Sequence, residues 1–142
     1  MVSNTVLKRV ISPQSVADNT ALVGQIIDHQ GADSVTYDVL LGSLGDADAT
    51  FATLLEHGDA ANLSDAVAVP DENMLTQTPG TAPEAAASFT FAHDDQVRVL
   101  GYNGSKRYSR LTITPTGNAS AALIAASARL GMRNTPVTQP AS

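Results

Sequence analysis

The chain has 142 residues, no cysteine and a formal net charge of −6 at pH 7, with 14 acidic and 8 basic residues. This length fits one domain with a modest core, and the lack of cysteine excludes disulfides, thiolate catalysis and cysteine-ligated metal sites. The longest apolar stretch, 121–128, is too short to cross a bilayer, and the first 14 residues lack the apolar run of a secretory signal.

The low content of charged residues is the most informative feature of the composition. Only 15% of the residues are charged and 4% are aromatic. Small β proteins with weakly charged surfaces have this composition. Such surfaces suit packing against other protein, because protein interfaces are depleted in lysine and glutamate.

The first 19 residues predict an extended N-terminal arm. Pro13 and its polar neighbours disfavour a helix, and the Ala-Asp-Asn sequence at 17–19 predicts a turn into the domain. At the other end, 132–142 contains two prolines and no core residues, so it predicts a C-terminal arm.

Between these arms the hydrophobic pattern has a period of two, which predicts half-buried strands. The predicted strands are 20–30, 34–42, 50–58, 66–70, 87–92, 97–102, 108–114 and 119–131. The segment 71–86 holds two prolines and predicts a surface loop, anchored by Met74 and Leu75. The last strand has a helical alternative, because it is rich in alanine. Strand is preferred there, since it alternates and a sheet needs a partner for each edge.

Asn103-Gly104 is the strongest short turn signal in the chain, and it predicts a β-hairpin that joins 97–102 to 108–114. Eight short strands at this spacing predict an all-β fold. The expected architecture is an antiparallel β-sandwich over residues 20–131, with the jelly roll among its possible topologies.

Acidic and basic residues are segregated along the chain. All 14 acids lie between Asp18 and Asp95, and all 8 bases lie outside that window. Two interpretations stay open at this point. The bases pair with acids on neighbouring strands of the same chain, or they form complementary contacts between copies.

Catalytic and metal-binding patterns are weak. His29, His57 and His93 lack the spacing of a zinc site, and Asp46 with Asp48 lacks the bidentate glutamate of a calcium loop. No nucleophile elbow or phosphate-binding loop occurs. We therefore expect no metal, no cofactor, no catalytic residue and no enzyme activity.

The segment 100–118 interleaves basic residues with Tyr102 and Tyr108, a pattern that also occurs in proteins that bind single-stranded nucleic acid. The net acidic charge argues against nucleic acid as a partner. We expect contacts to protein instead, either between subunits or with a capsid. The candidate contact residues are Lys8, Arg9, Arg98, Lys106, Arg107, Tyr108, Arg110, Arg129 and Arg133.

Three stretches resemble small structural proteins that are encoded beside the capsid genes of tailed bacteriophages. They are DADATFATLLEHGDAANLSDAVAVPDENML (46–75), ASFTFAHDDQVRVLGYNGSKRYSRLTITPTGN (87–118) and the closing alanine-rich strand. The resemblance covers about residues 20–131, and GYNGSKRYSRLTIT (101–114) is its most specific part.

The resemblance implies a virion component more firmly than it implies a position in the virion. We expect the protein to be made in the host bacterial cytoplasm and to lie on the capsid surface. The leading hypothesis is a capsid decoration (cement) protein that binds the major capsid protein and itself, with a trimer expected and no nucleic acid or membrane partner. The alternatives are a head–tail joining, neck or tail component, and a carbohydrate-binding β-sandwich.

Overall fold

The computed structural model describes residues 5–76 and 82–132, and almost all of their regular structure is β-strand. The strands are β1 Thr5–Val16, β2 Leu22–Val23, β3 Ile27–Asp28, β4 Ala32–Leu44, β5 Thr50–Gly58, β6 Val67–Ala68, β7 Met74–Thr76, β8 Phe89–Thr90, β9 Val97–Tyr102, β10 Tyr108–Thr116 and β11 Ala122–Met132. One short helix, α1, spans Pro83–Ala87. No helix in these two described ranges has the length and apolar character needed to cross a bilayer.

The strands form two antiparallel sheets, which confirms the predicted sandwich. The first sheet has the order β1-β11-β4-β9-β7, and the second places β10 between β5 and the pair β2 and β3. β6 and β8 both pair with β5.

Pairing follows a nested order along the chain: β1 with β11, β2 and β3 with β10, β4 with β9, and β5 with β6 and β8. A ribbon folded in this way is the jelly roll. The described chain contains eleven strands rather than about eight, because the predicted strand 20–30 is divided into β2 and β3, and because β1 and β7 lie in segments predicted as an arm and a loop.

The predicted N-terminal arm differs from the structure. Thr5–Val16 is an edge strand that pairs with β11 from Thr5↔Gly131 to Val16↔Ala122. Pro13 is accommodated where the register shifts, between Ile11 and Gln14, because a bulge frees the ladder from needing its missing N–H. The C-terminal arm, 132–142, lies outside the described residues except for Met132.

The predicted hairpin at Asn103-Gly104 is wrong. β9 pairs with β4 and β7 in the first sheet, whereas β10 pairs with β5, β2 and β3 in the second. Neither Asn103 nor Gly104 has the positive φ that a two-residue hairpin turn requires. The loop 103–107 instead crosses from one sheet to the other.

The core lies between the two sheets and combines large and small side chains. Tyr37, Phe51, Leu55, Leu111 and Ile113 are almost fully buried. The alanine-rich β11 is a strand, as predicted, and its inward positions Ala122, Ile124, Ala126, Ala128 and Leu130 all face this core. The predicted loop 71–86 contains β7 and α1, and Met74 is buried whereas Leu75 is exposed.

Candidate interaction surfaces

The outer face of the first sheet carries exposed apolar side chains at positions where a soluble protein usually has polar ones. Residues that are paired across neighbouring strands form rows on this face. Leu40 lies in a row between Ala125 and Val97. Thr36 lies in another row, which runs from Leu7 on β1 to Leu75 on β7. We call the outward side chains of Leu7, Leu40, Leu75, Val97 and Leu123 the apolar face. Their exposed fractions are 65, 47, 57, 54 and 46%.

A groove deepens the apolar face at one end. It has a volume of about 440 Å³ and is lined by residues 13–15, 40–42 and 123–125. Gly42 leaves room for Leu123, since a Cβ on Gly42 would lie 3.0 Å from the Leu123 Cβ. The groove therefore presents a concave apolar surface next to the flat part of the sheet.

Charge on the outer face of this sheet is almost fully neutralised. Arg129 donates to Asp38 through Nε at 2.6 Å and Nη2 at 3.0 Å, and this bonding raises the pKa of Arg129. Arg9 pairs with Ser127 in the register and is exposed at the edge of the sheet. Within residues 5–76 and 82–132, burying this face would therefore leave one cation, Arg9, to be solvated at the rim.

The outer face of the second sheet is polar by comparison. β10 presents Thr112, Thr114 and Thr116 there, and Arg110 forms an ion pair with Glu56 at 3.2 Å. Leu54 and Val23 lie on either side of Thr112 on this face and are exposed to 38 and 59%. Threonine and paired charges suit a face that stays in water, so the two faces of the sandwich have different chemistry.

Most of the predicted contact residues are already paired within the chain. Lys106 bonds Asp59, Arg107 bonds Asp28, Arg110 bonds Glu56 and Arg129 bonds Asp38. These are the ion pairs among the described residues, and they show that the strands and the 103–107 loop bring the acidic and basic segments together within one chain. Exposed pairs of this kind contribute little to stability.

The other predicted contact residues fall into three groups. Arg98 points inward and donates to the backbone carbonyl of Ala86 in α1. Tyr108 is half-buried beneath Arg107, whose guanidinium carbon lies 5.1 Å from the ring centroid. Lys8 and Arg9 are exposed on β1 without an ion pair among the described residues, and Arg133 lies outside those residues.

A buried polar network lies at the end of the sandwich near the 103–107 loop. The backbone carbonyl oxygen of Lys106 can only accept a hydrogen bond. The neutral His29 ring therefore donates to it from Nδ1 at 3.2 Å. Ser109 Oγ then donates to His29 Nε2 at 2.6 Å, and the Tyr37 hydroxyl donates to Ser109 Oγ. Each donor and acceptor in this series of hydrogen bonds, from the Tyr37 hydroxyl to the Lys106 carbonyl, has a partner only while His29 is neutral.

Tyr102 is held in the same network by a second histidine. Its hydroxyl contacts His57 Nδ1 at 2.9 Å and accepts from the Lys106 backbone N–H at 3.1 Å. Gly104 is required because a Cβ there would overlap the Tyr102 ring. This close contact, rather than a hairpin turn, explains the glycine in the Asn-Gly pair.

The network lies beside an open cleft of about 360 Å³ that is lined by residues 29–35 and 102–107. Ser109 and His29 form a hydrogen-bonded pair, but Ser109 is fully buried, so it cannot act as a nucleophile on an external substrate. Tyr102 is also buried and offers no platform for a sugar ring.

Metal ligands do not converge in the described part of the chain: no group of three or more candidate side chains could hold an ion. Asp46 bonds the backbone N–H groups of Asp48 and Ala119, as expected for a turn. His93 bonds the Thr90 N–H, away from His29 and His57.

We expect the stability of the protein to fall as the pH drops from about 7.5 to 5.5. Burial lowers the pKa of His29 and of His57 below the unfolded value of about 6.5. Between the folded and unfolded pKa values the unfolded chain binds more protons, so stability present above pH 6.5 is lost below it. A loss of about 1 kcal/mol lowers the melting temperature by roughly 3–5 °C in a domain of this size.

Thermal melts across this pH range measure the effect. The variant His29→Gln removes one titrating group, so its melting temperature should depend less steeply on pH than that of the wild type. A wild-type melting temperature that stays constant or rises on acidification to pH 5.5 would contradict the prediction.

Comparison with known proteins establishes the fold. No family model and no curated protein matches the sequence. Among solved structures, PBSX exported protein XepA is 14% identical with a TM-score of 0.52, over 90% of this chain and 37% of that one. SPBc2 prophage-derived protein YomS is 5% identical with a TM-score of 0.50, over 89% and 91%. At such low identity these likenesses show a shared β-sandwich and nothing about activity.

The sequence contained a signal for the apolar face that its strand prediction did not use. Leu40 and Leu123 occupy the outward positions of their strands, which alternate with the buried positions and are usually polar. The histidine network had no such signal, because His29, His57 and Ser109 are far apart in the sequence.

Proposed function

We propose that this protein is a structural component of a tailed-bacteriophage virion and that it decorates the outer shell by binding the major capsid protein in many copies. The observation that carries the proposal is the apolar face. Five exposed side chains, from Leu7 to Leu123, occupy one face of one sheet, whereas the opposite face exposes two, Val23 and Leu54, among threonines and a paired arginine.

Leu40, Val97 and Leu123 with its groove form the continuous part of the apolar face. An exposed apolar patch of this kind marks a site of protein association. The chain exposes little charge beside it, since Asp38 and Arg129 neutralise each other. A protein that functions as part of an assembly has a use for such a face, because neighbouring protein covers it.

Two further points support a phage assembly. The 101–114 segment resembles structural proteins encoded beside phage capsid genes. The fold is shared with a protein described as prophage-derived, along nearly the whole length of both chains. This shared fold supports a role in a phage, but a fold by itself assigns no function.

The proposal is tested by assembling shells from the major capsid protein with and without this chain. We expect extra density on the outer surface in cryo-electron microscopy and a higher melting temperature of the shell. Absence of both would overturn the proposal.

Quantitative mass spectrometry of virions separates decoration from the alternative location in the neck or tail. Decoration predicts hundreds of copies per particle, whereas a joining ring predicts about six or twelve by its symmetry. The lower number would move the protein to the neck or tail.

A further inference from the structure

We infer that the apolar face is covered by a second copy of this chain, packed face to face. The two copies are related by a two-fold axis that lies between the two sheets, directly over β4 and parallel to it. This inference rests on the proposed function in one respect, that the face is an assembly contact. It leaves the polar face of the sandwich and its loop ends available for the shell.

The register of the first sheet makes the outer face complementary to itself. An axis along β4 exchanges β1 with β7 and β11 with β9, because these strands are placed symmetrically about β4. Leu7 and Leu75 share one row at opposite edges of the sheet, so each would meet the other on the partner.

The same operation matches large side chains to small ones. In the row of Thr36, it places Arg129 over the partner's Gly101. In the next apolar row it places Ala125 over Val97, and it brings Leu40 against Leu40 of the partner on the axis. Residues that contact their own symmetry mates are typical of an isologous interface.

The area of overlap reaches the lower bound for a specific interface. It is set by the shorter strand of each superposed pair, which has 13 residues for β4 on β4, 6 for β11 on β9 and 3 for β1 on β7. At about 3.3 Å per residue and 4.8 Å per strand this covers roughly 500 Å² on each partner, and a specific interface needs about 1,000 Å² in total. Sheets that pack face to face lie about 10 Å apart, a spacing that leucine and valine side chains fill.

Electrostatics permit the pairing despite the net charge of −6. Asp38 is the only acid among the outward positions of 34–42, 97–101 and 123–131, and Arg129 neutralises it with two hydrogen bonds. The axis along β4 places Asp38 opposite Asp38 of the partner, as it does Leu40. Each carboxylate keeps the two hydrogen bonds from its own Arg129, so two neutral ion pairs meet there rather than two bare carboxylates. The remaining acids lie elsewhere on the molecule.

The mass of the purified chain in solution, measured by light scattering and sedimentation, tests the inference. We expect twice the chain mass of 14.7 kDa for the wild type. Leu40→Lys should weaken the pair by about 100-fold or more, because two ammonium groups would meet on the axis. Leu54→Lys, on the polar face, is the matched control and should keep the dimer mass.

Charge complementation gives the decisive result. Leu40→Lys and Leu40→Glu should each be monomeric alone and should form a heterodimer when mixed, since residue 40 contacts residue 40. Circular dichroism confirms that each variant is folded, and Leu123→Lys replaces Leu40→Lys if that variant does not fold. A monomeric or trimeric wild type, a dimer that Leu40→Lys leaves intact, or a mixture that stays monomeric would overturn the inference.

Binding to shells separates this inference from the proposed function. A monomeric Leu40→Lys variant that still binds the shell supports both. A wild type that dimerises but never binds the shell supports the pair and overturns decoration. A wild type that is monomeric, and loses shell binding on Leu40→Lys, overturns the pair and supports decoration.

Discussion

Gly24→Ala is expected to lower the free energy of unfolding by about 3 kcal/mol, the upper part of the range for overpacking a buried site. A Cβ at residue 24 would lie 2.5 Å from the backbone oxygen of Leu111 and 2.6 Å from Val10 Cγ1. The Leu111 oxygen cannot move away freely, because it also accepts from the Gly24 N–H at 2.8 Å.

The position of Gly24 explains the size of this effect. The residue lies between β2 and β3, and its neighbour Gln25 donates to the Val10 carbonyl at 2.9 Å. One close contact therefore joins β10 of the second sheet, the β2–β3 connection and β1 of the first. A shift that relieved the overlap would disturb both sheets.

Chemical denaturation measures the effect, with Gly45→Ala as the control. The nearest atoms to a Cβ at Gly45 lie at 3.4 and 3.5 Å, which is ordinary contact. The control should change stability by less than about 0.5 kcal/mol. Equal effects of the two substitutions would show that close packing at Gly24 is not the cause.

Ser109→Ala is expected to destabilise the protein by about 2–4 kcal/mol, because it leaves two buried polar groups without a partner. The Tyr37 hydroxyl loses its acceptor and His29 Nε2 loses its donor. Both side chains are buried, and burial also raises the pKa of Tyr37, so the phenol stays protonated and needs an acceptor.

A double-mutant cycle tests whether the lost hydrogen bonds are responsible. Tyr37→Phe combined with Ser109→Ala removes both ends of one bond and should cost less than the sum of the single substitutions. Ser127→Ala, at a half-exposed outward position of β11, is the control and should be nearly neutral. Additive single effects would contradict the network.

Much of the fold follows from local pattern. The alternation in 50–58 predicted β5 with the bounds that the structure has, and alternation in 119–131 outweighed the helical propensity of its alanines. In the folded chain Ala122, Ala126 and Ala128 face the core of the sandwich, where they alternate along the strand with exposed and half-exposed positions. Tertiary packing therefore decided in favour of strand.

The prediction failed where a local signal and the topology disagreed. Asn103-Gly104 is a strong hairpin signal, yet the loop 103–107 passes between sheets and wraps the ring of Tyr102. The first 19 residues gave no strong strand signal, because β1 is irregular and Pro13 interrupts it. Its pairing with β11 joins residues more than 100 positions apart in the sequence.

The candidate surfaces and the buried histidine network also have features that follow from the sequence and features that depend on the tertiary structure. The sequence by itself determined that the protein is an all-β sandwich with few charges and without cysteine chemistry, because composition and a period of two depend only on near neighbours. Only the tertiary structure decided which acid meets which base, that His29, His57 and Ser109 form one network, and that Leu7, Leu40 and Leu75 share a face. These relations depend on strand order and register, which are set by contacts between distant residues that no local pattern encodes.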